Sequence, residues 1–321
     1  DLRIGAKVAY QNWDMKLEIG YTGNKATIKD AFAKYTYKNH SIQVGQFYEP
    51  FSLEMMCSTF DIRFNQSPGA VLALTNGRRM GITYSYRNKR HYMSGGAFMD
   101  NEVNNLKKAS HGYALDGRVV YRPVLDSKKL IHIGFAANYR TPNESLNEED
   151  KNIFIYKSPG VSTIDNRNIA MATIDHAAYQ IKFGTELLVY YHRFCLQSEY
   201  IRTHVERDNA FKNYVAQGAY LQCSWLLSGE TYLYDESVAC AGRPEGKSLE
   251  VCSRFNYLTL NDEDAAIWGG EQKDISIGLN YYINKYIGIK LNYSYLMPGA
   301  SIKEISRKNF SVFQGRFQFI F

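Results

Sequence analysis

The sequence predicts an all-β chain: a transmembrane, antiparallel, up-and-down β-barrel of about 16 strands, fifteen of them visible within these residues. Three observations carry that expectation. Apolar residues recur at every second position along most of the chain. Tyrosine is abundant, at 26 residues, and joins 17 phenylalanines. Short connections alternate with long ones, as turns and loops do at the two ends of a transmembrane barrel. One barrel domain spanning 1–321 is expected.

The opening residues set the pattern, with Leu2, Ile4, Ala6, Val8 and Tyr10 against Arg3, Gly5, Lys7 and Ala9. Near the end, Ile275, Ile277, Leu279 and Tyr281 alternate with Asp274, Ser276, Gly278 and Asn280. A three-residue turn, 284–286, then leads into Ile287, Ile289, Leu291, Tyr293 and Tyr295. Side chains of a strand point alternately to its two faces, so each segment has one greasy face and one polar face. By the same rule strands fall near 2–10, 15–21, 26–37, 41–49, 79–87, 91–99, 113–122 and 129–140. Others follow near 178–191, 194–205, 213–227, 249–260, 272–283, 287–296 and 310–321. The faces of 26–37, 91–99 and 194–205 stay ambiguous, because apolar and polar residues mix on both. Tilted strands of about 9–11 residues cross a bilayer, and the tyrosines suit its wet boundaries.

Short connections lie at 11–14, 38–40, 88–90, 123–128, 192–193 and 284–286. Long ones lie at 50–78, 100–112, 141–177, 206–212, 261–271 and 297–309. Two break the alternation: 22–25 is short where a long loop is due, and 229–248 is long where a turn is due. Single-chain bacterial barrels have even strand counts, so one further strand is expected before Asp1. A soluble sandwich or propeller also has period two. The charged polar faces suit a hydrated lumen better than a packed core.

Other classes find little support. No stretch is apolar enough for a transmembrane helix, and a net charge of +6 is too mild to point to nucleic acid. The seven histidines form no HExxH or similar spacing, and neither a GxSxG elbow nor a phosphate loop occurs. Ser253 and His132 are the nearest approach to a catalytic pair, without a third partner to orient them. No enzyme, cofactor or metal site is therefore expected. Cys57, Cys195, Cys223, Cys240 and Cys252 include no CxxC pair, and their odd number leaves at least one unpaired within the chain. Cys223 is expected to face lipid, Cys252 to face inward, and Cys240 to be free to meet a partner from its long segment.

Several segments resemble the phosphate-selective porin O and P family of Gram-negative outer membranes. They are 44–52 (VGQFYEPFS), 78–82 (RRMGI), 226–230 (LLSGE), 249–260 (LEVCSRFNYLTL) and 269–282 (GGEQKDISIGLNYY). The last, followed by a hairpin, is the most specific. The resemblance implies a sixteen-stranded barrel in the bacterial outer membrane, a homotrimer, and a loop folded inward to narrow a diffusion pore. The opening segment resembles the family's second strand. Here the inward loop is 50–78, with Glu54, Asp61, Arg63 and Arg78 as its charged residues and no lysine. Family members specific for phosphate use a basic ladder and lysines that have no counterparts here, so the resemblance implies a porin and stops short of phosphate specificity.

The expected inward basic residues are Arg3, Lys7, Lys16, Arg79, Arg118, Arg140, Lys182, Arg254, Lys290 and Arg316. Five acids oppose them: Glu18, Asp116, Glu186, Glu250 and Asp274. A cationic lumen favours small anions, although such charges also brace the wall by pairing across strands. Phe317, Phe319 and Phe321 alternate along the final strand, which resembles the signal read by the outer-membrane assembly machinery through edge pairing. Lipid, anions and that machinery are thus the expected partners. A second reading, a plugged barrel serving as a subunit of a larger outer-membrane assembly, is motivated by 229–248 and the unpaired cysteine.

Overall fold

The computed structural model describes all residues except 1, 23–24, 100–111, 144–151, 163–166, 209, 300–307 and 321. Its first eight strands are β1 (Leu2–Tyr10), β2 (Trp13–Thr22), β3 (Lys25–Tyr37), β4 (His40–Tyr48), β5 (Arg78–Arg87), β6 (His91–Met99), β7 (Tyr113–Leu125) and β8 (Lys129–Arg140). Two short helices, α1 (Leu53–Met56) and α2 (Gly69–Leu74), lie between β4 and β5. A small hairpin, β9 (Phe154–Ser158) and β10 (Ala170–Ile174), precedes β11 (Ala177–Tyr191), β12 (Phe194–Arg207) and β13 (Tyr214–Ser228). A second hairpin, β14 (Tyr232–Asp235) and β15 (Cys240–Pro244), interrupts the run before β16 (Ser248–Asp262). The chain continues through β17 (Ile267–Tyr282), β18 (Ile287–Pro298) and β19 (Phe310–Phe319).

All fifteen strands expected from the period are present, and they form one antiparallel meander in chain order with β1 and β19 at its edges. The two hairpins stand outside it as separate two-stranded sheets. Among the described residues no ladder joins β1 to β19, yet Arg3 and Arg316 lie within reach of each other's charge. The meander therefore curls round a lumen.

Burial inverts the rule for soluble proteins. On β17, Ile277 is 54% exposed while its neighbour Ser276 is fully buried, and the alternation runs along the strand. An outer apolar surface and an inner polar one cost free energy in water and relieve it in a bilayer. Tyr10, Trp13, Tyr37, Tyr191 and Trp225 project outward beside the short turns, while Tyr21 and Tyr113 do so at the opposite ends of their strands. Those are the two heights at which an aromatic ring meets both lipid and water. Gln11, Lys38 and His192 open the tight turns with left-handed backbone, which matches the twist of the paired strands.

Candidate functional site: the lumen

The lumen is occupied from both ends. The β4–β5 connection folds inward because the wall supplies what its backbone needs. Glu199 of β12 accepts the amides of Leu53 and Glu54 at 3.0 and 2.8 Å. Asn256 of β16 accepts the amide of Ala70, and Asn292 of β18 that of Asn65. Carbonyls of the same loop receive Arg254 (Gln66, 2.9 Å), Asn280 (Arg63, 2.9 Å) and Lys290 (Phe60, 3.1 Å). Arg316 donates to the Asn65 carbonyl and Gln318 to that of Phe60. A buried irregular segment is tolerable only when its polar backbone is paired, and the polar inner wall does the pairing. Val71, Leu74 and Phe51 then form an apolar cluster with β9, β10 and the wall.

From the end with short turns comes the β14–β15 hairpin, whose tip carbonyls on Val238 and Ala239 each accept Arg118 at 2.7 Å. Glu186 holds that guanidinium from its other side at 2.9 Å and also meets His132, which in turn reaches the Tyr234 hydroxyl. Arg63, from the opposite plug, pairs with Glu250 at 3.4 Å and lies over the Tyr232 ring. The two inserted segments thus touch within the barrel.

What remains open lies against β1–β6. A cavity of about 500 Å³ is lined by Arg3, Lys7, Asp14, Lys16, Glu18, Asp30, Lys34, Arg78 and Arg87 on the wall, and by Asp61 and Asp235 on the plugs. A second space of about 520 Å³, bounded by the β14–β15 hairpin and Arg243, shares Asp61, Arg87, Asp235 and Ser237 with it. Most of these charges are matched. Arg3 meets Glu18 at 3.5 Å, Lys7 meets Asp14 at 3.7 Å, and Lys16 lies between Glu18 and Asp30 at 2.8 and 2.6 Å. Arg78 meets Asp30 at 2.5 Å, and Arg243 meets Asp61 at 3.5 Å. Among the described residues, Lys34 and Arg87 have no carboxylate at ion-pairing distance, and they lie near one another. Burial raises the Asp61 carboxyl above its ordinary range, opposed by Arg243 and Arg63. Burial likewise raises that of Glu54, which sits beneath Gln197.

The family model described as "Phosphate-selective porin O and P" matches residues 5–321. The chain belongs to that family. This porin-family chain is 25% identical over 310 residues to an uncharacterised protein of Caulobacter vibrioides, covering 91% of itself and 60% of that relative. Among solved structures, the trimer form of OmpT from Vibrio cholerae covers 98% of the chain and 90% of its own, at 10% identity and TM-score 0.58. An anion-selective porin from Comamonas acidovorans covers 99% and 89%, at 11% identity and TM-score 0.58. At such identities the likeness is one of fold, and the fold is the outer-membrane porin barrel. Family and fold together place the protein in the bacterial outer membrane.

Within the porin wall, the ten expected basic residues divide. Arg3, Lys7 and Lys16 line the cavity. Arg118, Arg254, Lys290 and Arg316 point inward but spend their donors on plug backbone. Arg140 is buried against Glu49, Lys182 donates to Asn76, and Arg79 donates to the Arg78 carbonyl; none of the three lines the cavity. Of the loop residues, Asp61 and Arg78 face the cavity, whereas Glu54 and Arg63 are buried in the plug. The expected acids mostly do the same bracing: Glu186 and Glu250 hold arginines, and Asp116 and Asp274 accept amide side chains. Phe317 and Phe319 lie on the outer face as their alternation requires, and Phe321 falls outside the described residues. Ser253 is exposed on the outer face and His132 buried on the inner one, so the wall separates them. Sequence reasoning missed Lys34, Arg87, Asp30 and Asp235. Lys34 and Asp30 lie on 26–37, one of the strands whose faces were ambiguous, and Asp235 lies in 229–248, read as a long connection where a turn is due.

Proposed function

We propose that the protein is a passive diffusion channel of the outer membrane with a modest anion preference, built as a single barrel domain over 1–321. The observation that carries this reading is the pair Lys34 and Arg87, which face the lumenal cavity with no carboxylate at ion-pairing distance among the described residues. A cation already paired offers a passing anion little, because its field is largely cancelled. An unpaired one lowers the cost of shedding hydration at a narrow point. Arg3, Lys7, Lys16 and Arg78 contribute less, each sharing a carboxylate. With six basic and five acidic residues around the cavity against β1–β6, the preference is weak and does not amount to phosphate specificity. The similar structures, an anion-selective porin and a trimer form of OmpT, agree with anion passage and with a homotrimer. We assign no catalytic role, and take Phe317, Phe319 and Phe321 as the edge that the assembly machinery reads.

A second reading has its own observation: plugs enter from both ends and meet. A barrel so filled also suits a non-conducting subunit of a larger envelope assembly. Single-channel recording in a planar bilayer under a KCl gradient separates the two. Open steps with an anion-shifted reversal potential support the channel, and block by added phosphate would extend it to that anion. A heat-modifiable, folded barrel that never conducts overturns it in favour of the subunit.

A further inference from the structure

The two plugs that fill the lumen carry one cysteine each at the place where they meet. Cys57 closes α1, in the connection that enters from the end with long loops. Cys240 opens β15, in the hairpin that enters from the opposite end. Both are buried in one apolar cluster with Leu53, Tyr232 and Ala241, and α1 packs directly on β15. Both cysteines lie at the rim of the cavity, where the Cys57 thiol donates to the Leu53 carbonyl at 3.2 Å.

We propose that Cys57 and Cys240 form a disulfide that staples the outer plug to the inner one. The remaining cysteines do not compete for either partner. Cys195 is buried on β12 beside Arg63, Cys252 on β16 beside Asn280, and Cys223 lies on the outer face of β13. Cys195 and Cys223 are on adjacent strands but point to opposite faces of the wall, which excludes a bond between them. The outer membrane faces an oxidising compartment, where disulfides form and persist. The oxidant is a protein disulfide of the thiol–disulfide oxidase class: two thiols lose two protons and two electrons, one S–S bond forms, and the oxidant's own disulfide is reduced to two thiols. Timing follows from reactivity. Contact with Cys240, and then burial, hold the Cys57 thiol protonated, and only a thiolate attacks a disulfide. The exchange therefore belongs to assembly, before the plugs are fully buried, and the finished bond is shielded from reductant. Its consequence for the pore is mechanical: Asp61 and Asp235, one on each plug, border both lumenal spaces, and joining the plugs holds that constriction at one width.

The test begins with the full chain exported to the envelope of a Gram-negative host and purified as a folded barrel. Thiols are trapped with N-ethylmaleimide under non-reducing denaturing conditions, and peptides are mapped by mass spectrometry. The expected result is one linked peptide pair containing Cys57 and Cys240, with three alkylated cysteines. Five alkylated cysteines, or a different linked pair, overturn the bond. Single-channel recording of the Cys57→Ser, Cys240→Ser double variant then tests the staple, with heat-modifiability confirming that it folds. The expectation is at least twofold greater current noise than wild type; unchanged noise overturns the mechanical role even where the bond is mapped. Because noise and peptide linkage are both read independently of ion preference, failure here is distinguishable from failure of the anion reading.

Discussion

The Glu199 carboxylate on β12 accepts the Leu53 amide at 3.0 Å with one oxygen and, with the other, the Glu54 amide at 2.8 Å. Ser52 caps the same turn, its hydroxyl accepting the Met55 amide. One wall residue thus seats the start of the inserted loop, and the Tyr220 hydroxyl donates to the same carboxylate. Glu199→Ala leaves two amides and a hydroxyl buried without an acceptor, at about 1–3 kcal/mol for each unsatisfied group. The expected outcome is a lower midpoint of heat-modified mobility and a noisier, larger conductance, read on gels and in single-channel records. A variant with wild-type noise would show that the loop is seated by its other contacts.

Removing the unpaired cations tests the ion preference directly. A unit charge at 4 Å in water is worth about 1 kcal/mol, so Lys34→Gln with Arg87→Gln should reduce the anion-to-cation permeability ratio by roughly two- to fivefold. Asp235→Asn should move the reversal potential the other way, since Asp235 lines the same cavity. Substituting Lys290, whose ammonium is spent on the Phe60 carbonyl, should lower stability more than selectivity.

Acidification should strengthen anion preference. Burial raises the Asp61 carboxyl above its ordinary value, so it loses its negative charge at a higher pH than an exposed aspartate does. Arg243, Arg63 and Lys290 face it, while Asp235 opposes them. The cavity therefore becomes more positive as the pH falls through the raised value. Reversal potentials measured across a pH series should show the shift, and Asp61→Asn should remove its upper part.

Gly45 is the wall position least tolerant of a side chain. Its φ is +132°, and a Cβ would come within 2.2 Å of the Ala31 carbonyl oxygen and 2.7 Å of the Phe32 Cα across the β3–β4 pair. Gly45→Ala strains a conformation that L residues avoid by more than about 1 kcal/mol and forces the strands apart. Its heat-modified midpoint should fall, with the ion preference unchanged.

Much of this protein is legible in its sequence, for a local reason. Side chains of a strand alternate whatever lies around them, so Ile275, Ile277 and Leu279 announce a lipid face and Asp274, Ser276 and Asn280 a lumenal one before any partner is known. Fifteen strands and the inward course of 50–78 came from that periodicity and from resemblance. Where both faces carry mixed residues the rule fails. Lys34 lies on β3, paired with Asp14 of β2 in a run that breaks at a register shift further along the strand, and its orientation followed only from the pairing. What a lumenal charge does is less local still. Lys290 and Arg254 alternate as pore residues should, yet each donates to a carbonyl of a loop far away in the chain, and nothing near them in sequence foretells it. The inserted hairpin has the same origin: 229–248 reads as an overlong turn until Arg118, on β7, provides donors for its tip. Alternation along a strand determined which way each residue points. Only the packing of the two plugs against the inner wall decided which cations stay free, because a charge is cancelled by whatever folds against it.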